Sequence, residues 1–324
     1  MNHQLLALIA AAATGAVMIA VFSVLLRRGW ARLGRLSRAG FSVSLGVLTL
    51  VWALFVYAAL IEPRTLVVRR VEIVAANWRG APLTVAMVSD THVGGPHVDA
   101  VRIGRVVRRI NALRPDLVVL LGDYAAGHAP EAARTPAEQQ EIMGGIATFA
   151  AVQSRYGVVA VIGNHDSWYG RASITAALQS AGAAALWNRS IVIRRSGGDI
   201  VLAGLADALT GHPDFSETLD GAPEGEDTIV LSHSPDPFAE MPASLPVMLA
   251  AHTHCGQVTI PFFGRPYINV RHKDYACGRV DRAGQTLYVT GGVGTSIVPL
   301  RFLNPPEIVF VTIRGAGRAR SPSP

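Results

Sequence analysis

The chain is 324 residues long, half of them apolar and 16% charged, with a formal net charge of +6. This is too apolar for an ordinary soluble enzyme, and two cysteines, Cys255 and Cys277, exclude a disulfide scaffold while leaving room for one bridge in an oxidising compartment. The positive charge comes largely from arginines around two apolar runs, and no dense Lys/Arg run with interleaved aromatics follows; an anionic membrane surface fits better than a nucleic acid.

Residues 4–26 and 41–61 carry no charge. At 1.5 Å per residue, each is long enough to cross the hydrocarbon core of a bilayer as a helix. Arg27, Arg28, Arg32, Arg35 and Arg38 lie between them with no acid. Basic loops stay in the cytoplasm, so residues 1–65 are predicted to form a transmembrane helical hairpin with an external N-terminus. Arg64, Arg69, Arg70 and Arg79 pull the other way, partly countered by Glu62 and Glu72. Met1-Asn2-His3-Gln4 has no Lys or Arg, which argues against a signal peptide. The expected location is multi-pass in the inner or plasma membrane, with the rest of the chain extracytoplasmic.

Residues 66–79 read as a linker, 80–315 as the folded domain, and 316–324 as a disordered tail. Leu83–Ser89 and Asp116–Leu121 are apolar strand runs around a helix over Val98–Leu113, with Arg102, Arg105, Arg108 and Arg109 turned outward. This βαβ pattern predicts a parallel pair with a right-handed crossover. A helix around Glu138–Ala150, a strand at Val158–Ile162 and a helix at Ser173–Ala181 follow. Ile191–Arg195 and Ile200–Ala203 make a hairpin, and further strands fall at Thr228–Leu231, Pro246–Ala250, Leu287–Thr290 and Ile308–Ile313. The hairpin and a long loop divide the strands into two groups, which predicts a two-sheet α/β sandwich.

Five polar clusters each follow an apolar strand run: Asp90-Thr91-His92, Gly122-Asp123, Gly163-Asn164-His165-Asp166, His233 and His252-Thr253-His254. In open α/β sheets, ligands bind outside the carboxyl ends of the strands. Asp90, His92, Asp123, Asn164, His233, His252 and His254 offer the oxygen and imidazole donors that hold hydrolytic divalent metals. Asp90 and His92, two apart on extended backbone, point the same way, and the two oxygens of Asp123 can bridge two ions. His165 beside Asp166 has the shape of a general acid oriented by a carboxylate. Taken singly, His233 is an ordinary buried histidine and Asp123 an ordinary turn residue; it is the ordered set that points to a two-metal hydrolase. Two metals about 3.5–4 Å apart would clamp an in-line displacement at phosphorus, with attack by a metal-bridging hydroxide. Cys255 adjoins this cluster and reads as a small residue lining a tight turn.

The order Asp-x-His, Gly-Asp, Gly-Asn-His-Asp, His, His-x-His resembles the calcineurin-like metallophosphoesterase superfamily over about residues 80–315. Within it, Ser232–Asp236, His252–Gln257 and Gly291–Pro306 resemble the membrane-associated YkuE/YaeI-type phosphodiesterase branch. The resemblance implies an αββα sandwich. It places Asp90, His92, Asp123 and His254 around a first metal and Asp123, Asn164, His233 and His252 around a second, with His165 and Asp166 as the acid pair. The two divalent ions would be Mn, Fe, Zn or Co. Ala251 and Cys255 stand where the family pattern has glycine, and neither is a ligand. The expected substrate is a phosphodiester of the cell envelope, or one linked to lipid. The alternative is UDP-2,3-diacylglucosamine of lipid A synthesis, whose cytoplasmic location conflicts with an external domain. A non-catalytic membrane scaffold is a distant third, because it would predict lost ligands.

Overall fold

In the computed structural model, which describes residues 3–29, 34–75 and 77–316, the two N-terminal apolar runs are helices: α1 (His3–Gly29) and α2 (Arg35–Val56). Both are long and apolar enough to cross a membrane, and α2 runs on through a wide turn at Tyr57–Ile61 and a tight one at Glu62–Arg64. Arg27 and Arg28 close α1 while Arg35 and Arg38 open α2, so the basic residues gather at one end of the helix pair. The Trp52 indole N–H donates to the Ala12 carbonyl across that pair, at 2.8 Å. Arg32 and residues 317–324, which hold nearly all of the predicted tail, lie outside the described residues.

The remaining elements are β1 (Val67–Ala75), β2 (Leu83–Val88), α3 (Ala100–Leu113), β3 (Leu117–Leu121), α4 (Pro136–Ala147), β4 (Val158–Val161), α5 (Asn164–Ser180), β5 (Ala183–Leu186), β6 (Arg189–Ile193), β7 (Ile200–Gly204), α6 (Phe215–Leu219), β8 (Asp227–Leu231), β9 (Val247–Ala250), β10 (Gly278–Arg282), β11 (Gln285–Val289) and β12 (Glu307–Gly315). They form two six-stranded sheets, in the orders β1-β12-β2-β3-β4-β5 and β10-β11-β9-β8-β7-β6. β2, β3, β4 and β5 run parallel in the first sheet, and β7, β8, β9 and β11 in the second. The predicted sandwich is the observed architecture.

Burial on both faces explains the continuous apolar runs. Leu83, Val85 and Met87 of β2 face Leu202, Ile229 and Leu249 between the sheets. Ala86 and Val88 point the other way, into a layer with Ile103 and Val107 of α3 and Ile146 of α4. On the far side of the second sheet, Val230 and Met248 pack with Phe238 and Met241.

Two expectations are corrected. Residues 66–79 are not a simple linker: Val67–Ala75 is an edge strand, in parallel register with Glu307–Gly315 at the other end of the domain. Its charges, Arg69, Arg70 and Glu72, are typical of an edge strand, and its partner lies about 240 residues away in sequence, which no local pattern encodes. Arg102 does not face outward: it is 6% exposed and Val101 is 62% exposed. The Arg102 guanidinium donates to the carbonyls of Pro63 and Arg64, satisfying the tight turn that leaves α2. The Glu62 carboxylate accepts from the Leu303 and Asn304 N–H groups, and the Arg301 N–H donates to the Ala58 carbonyl. The end of the second apolar helix is therefore hydrogen-bonded to the domain on two sides.

Candidate metal centre

The site forms where the carboxyl ends of β2, β3, β4, β8 and β9 converge along one edge of the sandwich, three strands from one sheet and two from the other. Five of the seven predicted donor residues adopt left-handed backbone: Asp90 (φ 49°), His92 (45°), Asp123 (57°), His252 (68°) and His254 (51°). Such conformations are sparsely populated for non-glycine residues and cluster at functional sites. The loops are held by backbone bonds between clusters, Asp90 N–H to the Gly122 carbonyl, His92 N–H to the Asp123 carbonyl and Ala251 N–H to the His233 carbonyl. Gly122, at φ 89°, is required: a Cβ there would lie 2.7 Å from the Gly163 nitrogen and 2.8 Å from His233 Nδ1. A Cβ at Gly163 would collide with the Asp123 carboxylate.

All seven donors are buried; six of them meet in two groups of three, and His165 in turn approaches His92 and Asp123. Asp90, His92 and His254 form one, with the two Nε2 atoms 3.1 Å apart and His254 Nε2 3.3 Å from Asp90 Oδ1. Asp123, His233 and His252 form the other, with Asp123 Oδ2 3.2 Å from His233 Nε2, which lies 3.2 Å from His252 Nδ1. Asp123 Oδ2 is also 3.7 Å from His92 Nε2 and so stands between the groups. The Asp90 oxygens and Asn164 Oδ1 are buried without a hydrogen-bond donor. Burying a carboxylate uncompensated is expensive; a cation among these atoms removes the penalty. The donor set fits a divalent metal.

Outer contacts orient the rings. His233 Nδ1 donates to the Leu121 carbonyl (2.7 Å) and His252 Nε2 to the Asn269 carbonyl (3.0 Å), turning the other nitrogen of each toward Asp123. Burial, reinforced by the neighbouring His165, depresses His92 to about 3, and burial holds His252 and His254 below the usual range. These rings are neutral, the form that coordinates metal. Burial also pushes Asp90 up to about 7. For His233, burial opposes the charged ring, but the Asp123 carboxylate overrides it and raises the pKa well above normal.

His165 sits 4.7 Å, ring to ring, from His92 in an edge-on arrangement. Its Nδ1 donates to the Gly127 carbonyl at 2.7 Å, leaving Nε2 in the cleft 3.4 Å from Ser296 Oγ. Asp166 does not pair with it. Its two oxygens accept from the N–H groups of Gly163, Asp123, Tyr124 and Ala125, tying the turn after β3 to the start of α5. Sequence adjacency suggested an acid pair, but at the first turn of a helix neighbouring side chains diverge.

Sequence reasoning missed three groups here. Arg301, fully buried, donates to the carbonyls of Gly291, Gly292 and Gly294 and shapes the loop that passes behind Asp90. Glu307 accepts from the Thr290 hydroxyl and the Gly291 N–H at the root of that loop. Buried Asp207 has one oxygen without a partner, and its charge reaches His233 and His252. The motif Gly291–Pro306 marked this loop in the sequence without giving Arg301 a role. Around the site, the His128 ring lies tilted and the Trp168 ring edge-on against His165 (4.8 and 4.9 Å), while Tyr169 lies in the core and the His272 ring is tilted over Tyr275. His97 bonds to the Pro299 carbonyl across a cleft of about 1120 Å³ that opens from His92 and His165 toward Arg64. Cys255 and Cys277 form a disulfide, with Cα atoms 4.8 Å apart. Cys255 does line a tight turn, at φ 52°, a conformation that suits the glycine usual there.

Residues 83–256, which carry all seven donors, match the family model for the calcineurin-like phosphoesterase. The chain belongs to that family. As a calcineurin-like phosphoesterase it is a metal-dependent phosphoester hydrolase, of the YkuE/YaeI branch. It is 29% identical over 236 residues to the uncharacterised metallophosphoesterase YkuE of Bacillus subtilis, covering 71% of this chain and 78% of that one. Against the phosphodiesterase YaeI of Escherichia coli it is 30% identical over 208 residues, covering 62% and 71%. A bovine transmembrane protein with a metallophosphoesterase domain is 27% identical over 252 residues, and there the chain spans 53% of the relative's length. The solved NAD nucleotidase of Haemophilus influenzae aligns over 66% of this chain and 46% of its own, at 15% identity and a TM-score of 0.42. Family members use divalent metals, and the apolar helices together with the transmembrane relatives indicate membrane association of this phosphoesterase.

Proposed function

We propose that this chain is a two-metal phosphodiesterase anchored by the α1/α2 hairpin, hydrolysing a phosphodiester on the extracytoplasmic face. The observation that carries the reading is the meeting of two donor groups on Asp123. Asp90, His92, Asp123 and His254 would hold one ion, and Asp123, Asn164, His233 and His252 the other. Divalent ions bound there would supply Lewis acidity to the phosphoryl group and a nucleophile at neutral pH. His165 Nε2, facing the cleft, would pass a proton to the leaving oxygen, its Nδ1–H locked on Gly127. Asp166 acts as a positioning residue, because it holds the backbone of Asp123. Arg64, Arg102, Arg105 and Arg134 line the cleft along with Asp99, Glu138 and Glu141, a small positive excess that favours an anionic substrate.

The external location rests on the arginines at the closed end of the hairpin and on the Cys255–Cys277 bridge, since disulfides persist in oxidising compartments. The same bridge weighs against the cytoplasmic UDP-2,3-diacylglucosamine reaction. The domain proposal is an anchor over 1–65 and a catalytic domain through 315, with β1 as its first strand. The test is turnover of bis-p-nitrophenyl phosphate by the full-length protein after chelation and readdition of Mn. Restored turnover, abolished by Asp123→Asn, is expected; an equally active Asp123→Asn variant would overturn the site. An inactive C-terminal alkaline phosphatase fusion would overturn the orientation.

A further inference from the structure

Beside the metal cleft, six large apolar side chains point into solvent: Ile260, Phe262, Phe263, Ile297, Val298 and Leu303. Phe262 and Phe263 are the extremes, at 105% and 86% exposure. Phe262, Ile297 and Leu303 are also held in left-handed backbone, at φ 69°, 60° and 57°. A β-branched residue in that region is a genuine outlier, so the fold holds these side chains outward at a conformational penalty.

The two segments that carry them are joined. Thr259 N–H donates to the Phe302 carbonyl, Asn304 Nδ2 donates to Thr259 Oγ1, and the turn bearing Phe262 and Phe263 closes between Ile260 and Gly264. That unit is docked on the end of the second apolar helix. The Phe302 ring meets Tyr57 edge-on at 6.3 Å, and Glu62 and Ala58 hold the backbone of residues 301–304. A helix that leaves the bilayer at Tyr57–Arg64 therefore carries the apolar patch at the level of the headgroups. The patch also reaches the reaction centre. Ile297 and Val298 line the cleft next to Ser296, the residue facing His165 Nε2.

We propose that the 260–264 turn and the 297–303 segment form a second membrane contact, which seats the cleft on the bilayer surface and makes its substrate a phosphodiester within a lipid headgroup. The occupant is the bilayer the anchor crosses, because the patch is continuous with the emerging helix and Arg64 borders both. Apolar side chains beside a basic residue match the boundary between acyl chains and anionic headgroups. The substrate half of the proposal rests on the phosphodiesterase reading above; the membrane contact does not.

The test uses the full-length protein in nanodiscs of phosphatidylglycerol and phosphatidylethanolamine. With Phe262→Trp, the emission added over wild type should be quenched by lipids brominated on their acyl chains; unquenched added emission overturns the contact. Phe262→Asp/Phe263→Asp should lower cleavage of nanodisc phosphatidylglycerol by about tenfold or more, with hydrolysis of bis-p-nitrophenyl phosphate unchanged. Equal loss on both substrates, or none on either, refutes the proposal. A wild-type protein that cleaves bis-p-nitrophenyl phosphate but no nanodisc lipid overturns the lipid substrate and leaves the phosphodiesterase standing. One that cleaves neither overturns the phosphodiesterase reading, and the quenching still decides the contact.

Discussion

Replacing Asp166 by Asn separates a positioning role from an acid-pair role. The carboxylate accepts from four backbone N–H groups, those of Asp123 and Gly163 on one oxygen and of Tyr124 and Ala125 on the other. Asparagine keeps the shape but can present its carbonyl to only one of these pairs. The other two N–H groups then face an NH2 group in a fully buried site. A buried donor left unmatched costs about 1–3 kcal/mol, so the loss is about 2–6 kcal/mol. For a domain of this size that corresponds to a fall in Tm on the order of 5–15 °C. Because Asp123 and Tyr124 belong to different pairs, either orientation of the amide releases an N–H of the turn that carries Asp123, and metal affinity should fall with stability. The assay is thermal unfolding of the full-length protein in detergent, with metal content measured after dialysis against limiting Mn. A variant of unchanged Tm and metal content but lost turnover would refute the positioning argument and restore Asp166 as partner of the acid.

His165→Gln should lower turnover of a poor leaving group by about 10²–10⁴-fold while metal content is retained; retained turnover would remove His165 from the proton transfer. Cys255→Ser/Cys277→Ser opens a bridge between residues 22 apart in sequence and should cost about 3 kcal/mol, read as a lower Tm that reductant reproduces in wild type. An unchanged Tm would show that the turn after His254 holds without the bridge. Arg102→Met leaves the carbonyls of Pro63 and Arg64 without their charged donor, a loss of about 1.5–3 kcal/mol per bond, and should speed protease cleavage between α2 and β1. Cleavage at the wild-type rate would show that Glu62 and the Ala58 carbonyl secure that junction without Arg102.

The sequence by itself determined the buried strands, the order of the clusters that follow them, and the two apolar helices. Strands packed on both faces must be apolar throughout, and metal donors at strand ends must be polar, so both signals are local. Three of the four edge strands were not legible: Val67–Ala75 and Gly278–Arg282 carry charges and Ala183–Leu186 is mostly alanine, because an edge strand pairs on one side only; the fourth, β6, was read through its hairpin partner. Tertiary structure decided the partners. His165 and Asp166 are neighbours in sequence, yet one turns to Gly127 and the other to the backbone of Asp123. Arg102 looked like a solvated arginine until its acceptors arrived from the end of the second apolar helix. Arg301 and Glu307 shape the loop beside Asp90 from far along the chain, and Cys255 meets Cys277 across an intervening loop. Donor types are written in residue identity; which donor meets which acceptor depends on backbone brought together from distant segments.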